Sequence, residues 1–324
     1  MGQALMRAIA TDASFEILAC DTLKDNLDKI KDIAKALDSN VELAKKSDIV
    51  FLCVKPQDIS AVLDEINAFA QDKLIVSIAA GISLHLLEQR SPKSKFIRVM
   101  PNLPCLVGEM AAGYAAGKNC TSTDKKLVHE LLNKAGVAFE LEESQLDTVT
   151  GLSGSGPAFV AYLIEGFTQA GIEQGLSKEV ASQLSLQTFL GTARLLKEKN
   201  LDASELIAMV SSPHGTTVAG REVLENSDIK FHNIEEFAKR RNAYFLLKNI
   251  HDLNSEELEL NVELEKSSDI ELETIKQYCE QNPSEFNKLI PDLMNSLSIS
   301  KQEDERTENF NVRVIDEVKK VLNF

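Results

Sequence analysis

Glycine and serine residues are concentrated immediately ahead of a strongly apolar segment. Between Gly151 and Phe159, three glycines and two serines precede Pro157. Proline suits the first turn of a helix, where its missing N–H costs no hydrogen bond, and Ser155 can cap the same helix. Because the amino end of a helix presents free N–H groups and a positive potential, this segment could hold an anion or a cofactor. The alternative is a flexible linker between two domains.

A second segment rich in hydroxyl groups lies at 211–217, with the order Ser-Ser-Pro-His-Gly-Thr-Thr. Pro213 and Gly215 favour a turn before a helix whose exposed N–H groups could bind a carboxylate. Three hydroxyl side chains add donors there, those of Ser212, Thr216 and Thr217. An ordinary helix N-cap is the alternative explanation of the same residues.

Short apolar runs alternate with amphipathic segments over the first 120 residues. Predicted strands occupy 15–20, 48–54, 74–78 and 96–99, and predicted helices occupy 3–10, 24–37 and 59–70. Strands separated by helices of this length predict a parallel sheet with helices on its faces. After Thr123 strands nearly disappear, and helices are predicted at 123–135, 157–175, 178–197, 203–210 and 216–225.

The composition changes again after about residue 226. Between 251 and 280, ten acidic side chains stand against two lysines. Helical segments are predicted there at 233–249, 269–279 and 283–297. We therefore predict three parts: an α/β domain at 1–122, an all-helical domain at 123–226 and an acidic helical extension at 227–324. A solvated appendage is the simpler interpretation of the extension, and a docking module for a basic partner is the alternative.

The first residues differ from the usual start of a nucleotide-binding α/β domain. Such a domain opens with a strand, the turn G-x-G-x-x-G and a helix. Here Gly2 follows Met1 directly and a helix is predicted at once, so the strand and the first two glycines are absent from the sequence. Asp21 nevertheless ends the next predicted strand, where an acidic side chain could accept from a ribose hydroxyl. The pattern suggests a dinucleotide fold without its first strand, although an aspartate after a strand is more often a turn residue.

The overall composition indicates which kinds of partner the protein can bind and in which compartment it is found. The net charge of −15 argues against nucleic acid and against an anionic membrane as partners. Five scattered cysteines without a C-x-x-C pair indicate reduced thiols, with neither a disulfide framework nor a metal site. The first residues show no signal peptide, so we expect a cytoplasmic protein.

Four motifs in this order and spacing resemble those of the pyrroline-5-carboxylate reductase family. They are the residues 54–57 (Val-Lys-Pro-Gln), 99–102 (Val-Met-Pro-Asn), the glycine–serine segment 151–159 and the segment 211–217. The likeness runs from Met1 to about Glu225. It implies a Rossmann-like parallel sheet domain, here without its first strand, followed by an all-helical domain that intertwines with a second copy. A homodimer or higher homo-oligomer is therefore expected.

The resemblance assigns a set of residues to the cofactor, NADPH or NADH. Gly2 matches the third glycine of the family's phosphate-binding turn, and Asp21 occupies the ribose position. The remaining candidates follow the carboxyl ends of predicted strands or open the first helix: Gln3, Val54, Lys55, Pro56, Gln57, Ala79, Ala80, Gly81, Pro101 and Asn102. Asp21 would repel a 2′-phosphate, whereas family members commonly use NADPH, so we expect use of both coenzymes with a tilt toward NADH.

The same resemblance implies the last step of proline biosynthesis, reduction of the cyclic imino acid 1-pyrroline-5-carboxylate to L-proline. Thr217 is the candidate catalytic residue, with its hydroxyl hydrogen-bonded to the ring nitrogen. The candidate substrate-binding residues are Ser212, Gly215, Thr216, Ser153, Gly154 and Ser155. The backbone N–H groups of 215–217 would hold the carboxylate. His214 departs from the family, which usually has glycine there.

Two other functions compete with this interpretation. One is a non-catalytic dimeric relative that lacks effective cofactor binding and acts through its acidic tail. The other is a hydroxyacid or imine reductase of related architecture. The segment 211–217 argues against the second, because those enzymes place a lysine in the corresponding helical domain.

Overall fold

The computed structural model describes residues 1–212 and 215–225. These residues belong to two compact units, 1–155 and 156–225, and each is described by itself. Pro213 and His214 lie outside the described residues. The predicted acidic extension at 227–324, with its three predicted helices, also lies outside them.

The first unit alternates strands and helices. In chain order it contains α1 (Gly2–Ile9), β1 (Leu18–Ala19), α2 (Lys24–Asp28), β2 (Lys35–Ala36), α3 (Asn40–Lys46), β3 (Ile49–Leu52), α4 (Ile59–Ile66), β4 (Leu74–Ser77), α5 (Leu84–Arg90), β5 (Lys95–Met100), β6 (Met110–Ala116), α6 (Ser122–Asn133), β7 (Gly136–Glu140) and α7 (Leu146–Val149). Short 3₁₀ turns lie at Pro56–Asp58, Asn67–Phe69, Leu103–Val107 and Glu143–Gln145, and a π-helical turn lies at Thr150–Gly154.

Five strands form the main sheet in the order β3-β4-β5-β6-β7. The pairs β3–β4, β4–β5 and β6–β7 are parallel, and β5–β6 is antiparallel. Successive side chains of β4 alternate between two buried clusters: Ile75 packs with Leu63 and Phe96, while Leu74 and Val76 pack on the other face. The predicted α/β architecture with a parallel sheet is confirmed, with one antiparallel pair inside it.

The strands β1 and β2 form a separate parallel pair. In a dinucleotide-binding sheet the first strand lies between the second and fourth strands, which correspond here to β1 and β3. Within the described residues, β1 pairs only with β2, and β3 pairs only with β4. Among the described residues, β1–β2 and β3–β7 therefore form two separate sheets.

Two differences from the sequence-based prediction concern the first unit. The helix predicted at 24–37 ends at Asp28, because the following chain pairs with β1: the N–H of Lys35 donates to the carbonyl of Ile17 at 2.8 Å. Strand pairing here outweighs helix propensity. The strands β6 and β7 were not predicted, and β7 lies beyond Thr123. Since α6 and β7 pack on this sheet, the unit extends to Ser155, past the predicted boundary at 122/123.

The second unit consists only of helices. They are α8 (Gly156–Glu173), α9 (Lys178–Lys199), α10 (Ala203–Val210) and α11 (Thr216–Glu225). Ser177 caps α9 by accepting the Val180 N–H, and Phe167 packs edge-to-face on Phe189 at 5.2 Å between ring centroids. Of the residues described in this unit, only Ala181 and Ser185 are buried. The prediction of an all-helical domain at 123–226 holds for the described residues from 156 to 225 but not for 123–155, which contain β7, and the described residues of this unit do not form an apolar core of their own.

None of the helices in the described part of the chain is long and apolar enough to cross a membrane.

Candidate active site

The carboxyl ends of the parallel strands β3, β4 and β5 meet at one edge of the main sheet, which is where open α/β sheets bind their ligands. After β3, the chain exposes Val54, Lys55 and Gln57 and makes a tight turn in which the Asp58 N–H donates to the Lys55 carbonyl at 3.0 Å. Pro56 opens this 3₁₀ turn and is half-buried. The four predicted cofactor residues at 54–57 are thus at this edge.

The segment after β4 is more deeply buried than the one after β3. The buried Ser77 hydroxyl accepts the Ala79 N–H at 3.3 Å and shapes the start of the loop. Ala79 and Gly81 are buried and Ala80 is half-buried. Gly81 has a φ of 79°, in the left-handed region that favours glycine. The loop lies at the same edge, and Ala80 is the most accessible of these three residues.

The amino end of α1 lies against the end of β3. A Cβ on Gly2 would stand 2.9 Å from the Cβ of Cys53, so only glycine allows this approach. The N–H groups of Ala4 and Leu5 both donate to the Met1 carbonyl. The earlier N–H groups of the helix have no intrahelical acceptor, which is the arrangement that binds phosphate at helix N-termini.

Cys53, the residue that the amino end of α1 approaches, is exposed. Desolvation by the surrounding protein raises the pKa of its thiol to about 12. A thiol with so high a pKa is protonated and a poor nucleophile at neutral pH. Its role at this edge is to pack against Gly2.

Asp21 occupies the loop after β1 and is exposed. One of its carboxylate oxygens accepts the Leu23 N–H at 2.8 Å, and the other accepts from the Asn26 side chain at 3.0 Å. The Asn26 carbonyl in turn accepts from the Gln3 side chain at 3.2 Å. These bonds hold the Asp21 carboxylate in the turn after β1, and through Asn26 its loop is tied to the first turn of α1.

Asn102 has a structural role that the sequence pattern does not predict. Its amide nitrogen donates to the Ser153 carbonyl at 3.0 Å, and its amide oxygen accepts the Ala111 N–H at 2.9 Å. Asn102 and the neighbouring Pro101 are buried. The side chain therefore joins the end of β5 to the start of β6 and to the glycine–serine segment.

The glycine–serine segment is a π-helical turn, not an open loop. The Ser155 N–H donates to the Thr150 carbonyl at 2.8 Å, and the Ser153 hydroxyl donates to the Val149 carbonyl at 3.1 Å. Ser155 has φ −87° and ψ −22°, whereas an N-cap residue is extended. The predicted helix cap at Ser155 is therefore wrong. π-Turns of this kind recur at functional sites, and this one includes the predicted substrate residues Ser153 and Gly154.

The remaining predicted substrate residues belong to the second unit. Ser212 and Gly215 form a turn in which the Gly215 N–H donates to the Ser212 carbonyl at 3.0 Å. A Cβ on Gly215 would meet the Ser212 hydroxyl and stand 3.0 Å from the Ser212 carbonyl oxygen, so a larger residue would force this turn to shift. Thr216 and Thr217 are exposed in the first turn of α11. The prediction that the Gly215 N–H holds a carboxylate is corrected, because that N–H is already bonded.

An ion pair between a buried arginine and a partly exposed glutamate gave no signal in the sequence. Arg98 of β5 contacts Glu143 at 2.9 Å, and the same carboxylate oxygen accepts the Leu84 N–H at the start of α5 at 2.7 Å. Arg98 is buried. Pairing across 45 residues cannot be read from local spacing.

Family models match two parts of the chain. The model described as pyrroline-5-carboxylate reductase dimerisation matches residues 143–242, and the model described as NADP oxidoreductase coenzyme F420-dependent matches residues 1–81. Within the described part of the chain, no three His, Cys, Asp or Glu side chains converge as a metal site would require.

Individual relatives agree with these models. The chain is 41% identical to the pyrroline-5-carboxylate reductase of Methanosarcina acetivorans over 193 residues, 59% of this chain and 72% of that one. It is 36% identical to the enzyme of the same name from Aquifex aeolicus over 233 residues, 71% of this chain and 87% of that one. A solved pyrroline carboxylate reductase from Plasmodium falciparum with NADP bound superposes with a TM-score of 0.67 at 34% identity, covering 76% of this chain and 94% of that one.

Proposed function

Because the chain belongs to the pyrroline-5-carboxylate reductase family, we propose that it reduces 1-pyrroline-5-carboxylate to L-proline with NADH or NADPH. The observation that best supports this function is the approach of α1 to the carboxyl edge of the sheet. Gly2 meets Cys53 there, beside the exposed segment that follows β3. This is the arrangement that a dinucleotide needs, with free N–H groups at the end of parallel strands.

The chemical groups at this edge of the sheet are of the types that bind a dinucleotide. Free N–H groups of Gly2 and Gln3 suit a pyrophosphate, and Lys55 supplies an exposed positive charge. We assign the buried backbone of Ala79, Ala80 and Gly81 to the nicotinamide ribose. Asn102 and Pro101 are buried, so they would support the coenzyme-binding edge from inside the protein. The amide nitrogen and the amide oxygen of Asn102 already have hydrogen-bond partners.

For the helical unit, we assign hydroxyl and N–H groups to the substrate. With the Gly215 N–H occupied, the N–H groups of Thr216 and Thr217 remain to hold the carboxylate. The Ser212 hydroxyl belongs to the same turn. In the first unit, Ser153, Gly154 and Ser155 form a tight backbone turn whose Ser153 hydroxyl can accept a further hydrogen bond.

Reduction of the C=N bond depends more on positioning the coenzyme and the substrate than on an acid catalyst. Bound NAD(P)H supplies a hydride. The ring nitrogen of the protonated imine already carries its proton, so gain of a hydride at the C=N carbon converts the iminium to the neutral amine of the ring. The Thr217 hydroxyl accepts a hydrogen bond from that N–H and fixes the ring plane. Alignment of this kind contributes to the rate through orientation.

The helical unit supports assembly of the enzyme as a homodimer or larger homo-oligomer. Large apolar side chains in it face solvent: Tyr162 is 75% exposed, Met209 68% and Val223 70%. A second copy would cover such surfaces, as the dimerisation model that matches this region suggests. Four free cysteines among the described residues and the net charge of −15 fit a cytoplasmic protein without nucleic-acid or membrane partners.

The function is tested by steady-state turnover of 1-pyrroline-5-carboxylate with each coenzyme. Replacement Thr217→Ala is expected to lower kcat/KM about 5- to 150-fold, as loss of one hydrogen bond of about 1–3 kcal/mol predicts. Thr188→Ala is the matched control, since that hydroxyl donates only to the Leu184 carbonyl within α9. Equal kcat/KM in wild type and Thr217→Ala would contradict the role of Thr217, and absence of turnover would contradict the function.

A further inference from the structure

Residues 143–154 form one uninterrupted helical segment, in which a 3₁₀ turn is followed by α7 and by the π-helical turn. Glu143 is the first residue of this 143–154 segment, and Gly154 is the last. Leu146 and the partly buried Val149 pack the segment into the buried cluster that contains Phe96 of β5. Because the segment is continuous, a shift at Glu143 is transmitted to the π-helical turn.

Alternate residues of β5 hold the 143–154 segment at both of its ends. Successive side chains of a strand point to opposite faces, so Arg98 and Met100 lie on the same face of the sheet. Arg98 contacts Glu143 at 2.9 Å. The Met100 side chain lies against the other end, since a Cβ on Gly154 would stand 2.7 Å from its Cε. The strand therefore fixes where the segment begins and where it ends.

Glu143 also fixes the end of the loop that follows β4. Its Oε1 accepts both from Arg98 and from the Leu84 N–H, the second at 2.7 Å. Leu84 is the first residue of α5, and Ser83 caps that helix by accepting the Leu86 N–H at 3.2 Å. One carboxylate oxygen thus joins the loop assigned to the coenzyme to the segment that ends in the π-helical turn.

These contacts of Glu143 are sheltered from solvent. The side chain of Arg98 is 10% exposed and that of Glu143 is 32% exposed. Hydrogen bonds to a charged group are shorter and stronger than neutral ones, and they gain strength where water is partly excluded. The carboxylate is therefore suited to hold β5, α5 and the 143–154 segment at fixed relative positions.

Building on the proposed function, we propose that Glu143 is a positioning residue for hydride transfer. It holds the coenzyme loop after β4 in register with the π-helical turn assigned to the substrate. In this role it contacts neither reactant and acts through the Leu84 N–H and through the 143–154 segment. Hydride transfer depends on the alignment of donor and acceptor, and a displacement of about 1 Å can cost about 100-fold in rate.

The test compares two replacements of Glu143 in the full 324-residue chain. Glu143→Ala removes the acceptor for both Arg98 and the Leu84 N–H. Glu143→Gln removes the charge but keeps an oxygen for the Leu84 N–H. Both variants should lose stability, because each leaves Arg98 without its counter-charge. Only Glu143→Ala should lose about tenfold or more in the rate of hydride transfer, whereas Glu143→Gln should stay within about threefold of wild type.

The rate of hydride transfer is measured in a single turnover of 1-pyrroline-5-carboxylate, with enzyme in excess and coenzyme saturating. Single-turnover kinetics separate the chemical step from binding and from product release. The rate constant is a property of the bound complex, so a smaller folded fraction does not lower it. The coenzyme Kd, measured in parallel, should change by a smaller factor than this rate constant.

Glu88→Ala is the matched control. The Glu88 carboxylate also accepts a backbone N–H, that of Lys118 at 2.9 Å, and pairs with the Lys118 ammonium at 3.4 Å. Since β6 is antiparallel to β5, its carboxyl end near Lys118 lies at the opposite edge of the sheet. Glu88→Ala should therefore lower stability without changing the single-turnover rate. Glu143→Asp, which keeps the charge but is one methylene shorter, replaces Glu143→Ala if that variant does not fold, and it should also slow hydride transfer.

The outcomes distinguish this inference from the function on which it rests. An unchanged single-turnover rate in the variant that shortens or removes Glu143 overturns the positioning role and leaves the reductase function standing. Equal rate losses in Glu143→Ala and Glu143→Gln, or in Glu143→Ala and Glu88→Ala, overturn it as well. Failure of the wild type to reduce 1-pyrroline-5-carboxylate overturns both.

Discussion

The side-chain amide of Asn102 donates a hydrogen bond to the carbonyl of Ser153 at 3.0 Å. This bond joins the end of a central strand to the π-helical turn that carries the predicted substrate residues of the first unit. The amide oxygen of Asn102 is used as well, by the Ala111 N–H. One buried side chain thus couples the strand edge assigned to the coenzyme to the turn assigned to the substrate.

Replacement Asn102→Ala should therefore affect both stability and catalysis. It leaves the Ala111 N–H and the Ser153 carbonyl without this partner, at a cost of about 1–3 kcal/mol in unfolding free energy. We expect a lower Tm and a lower kcat/KM. Asn119→Ala is the control: its amide also donates to two carbonyls, those of Pro92 and Ser94, away from the site. A variant that loses stability but keeps full kcat/KM would separate Asn102 from the site.

The close contact of Gly2 with Cys53 predicts that Gly2→Ala weakens coenzyme binding. The added Cβ would stand 2.9 Å from the Cys53 Cβ and 3.2 Å from its sulfur, so α1 must move away from the strand edge. The measurement is the Kd for each coenzyme. Cys53→Gly removes both contacting atoms and should restore part of the affinity in the double variant. If the two changes add independently, the contact does not set the position of the helix.

The pair of Arg98 with Glu143 should stabilise the first unit. Glu143→Gln leaves a buried guanidinium without its counter-charge, and we expect a loss of about 2 kcal/mol, below the fully buried range because Glu143 is partly exposed. The exposed pair of Lys125 with Glu140 is the control, and Glu140→Gln should cost at most about 1 kcal/mol. Urea unfolding measures both. Equal losses would show that burial of Arg98 adds nothing.

Stability in acid should depend on Asp12. Hydrogen bonds from the Ser14 side chain and from Lys134 hold the pKa of this carboxylate far below its usual value of 3.8. A carboxylate with a depressed pKa stabilises the folded state fully above the unfolded pKa and loses that contribution as the pH falls below it. Asp12→Asn should therefore flatten the decline of Tm between about pH 5 and pH 2. An unchanged decline would mean that other carboxylates control acid unfolding.

A charge placed on the apolar surface of the helical unit tests whether a second copy of the chain covers that surface. Leu184 lies in the middle of α9 and is exposed in the single chain. Leu184→Glu should shift the protein toward monomer in light scattering after size exclusion, whereas Gln187→Glu should not. A monomeric wild type, or equal behaviour of the two variants, would contradict assembly through this surface.

Sequence patterns predicted what depends on local spacing. The apolar runs that became β3, β4 and β5 were identified because buried parallel strands are continuous and apolar. The strand β6, with its run of alanine and glycine, has low strand propensity and forms because β5 and β7 flank it. The short β2 forms only by pairing with β1.

The sequence predicted which residues form the candidate site. It predicted less well which hydrogen bonds those residues make. Asp21, Asn102 and Ser155 have hydrogen bonds whose partners lie in tertiary structure or in a π-turn. Spacing along the chain does not encode such partners. The Gly215 N–H was misassigned for the same reason, since its turn to Ser212 becomes visible only in three dimensions.

The central claim is hydride transfer to 1-pyrroline-5-carboxylate, and isotope transfer tests it most directly. The chain is incubated with the substrate and with coenzyme carrying deuterium at both positions of the nicotinamide C4, and the product is examined by mass spectrometry. We predict L-proline with one deuterium on the former imine carbon. Absence of proline, or proline without deuterium, would contradict the account.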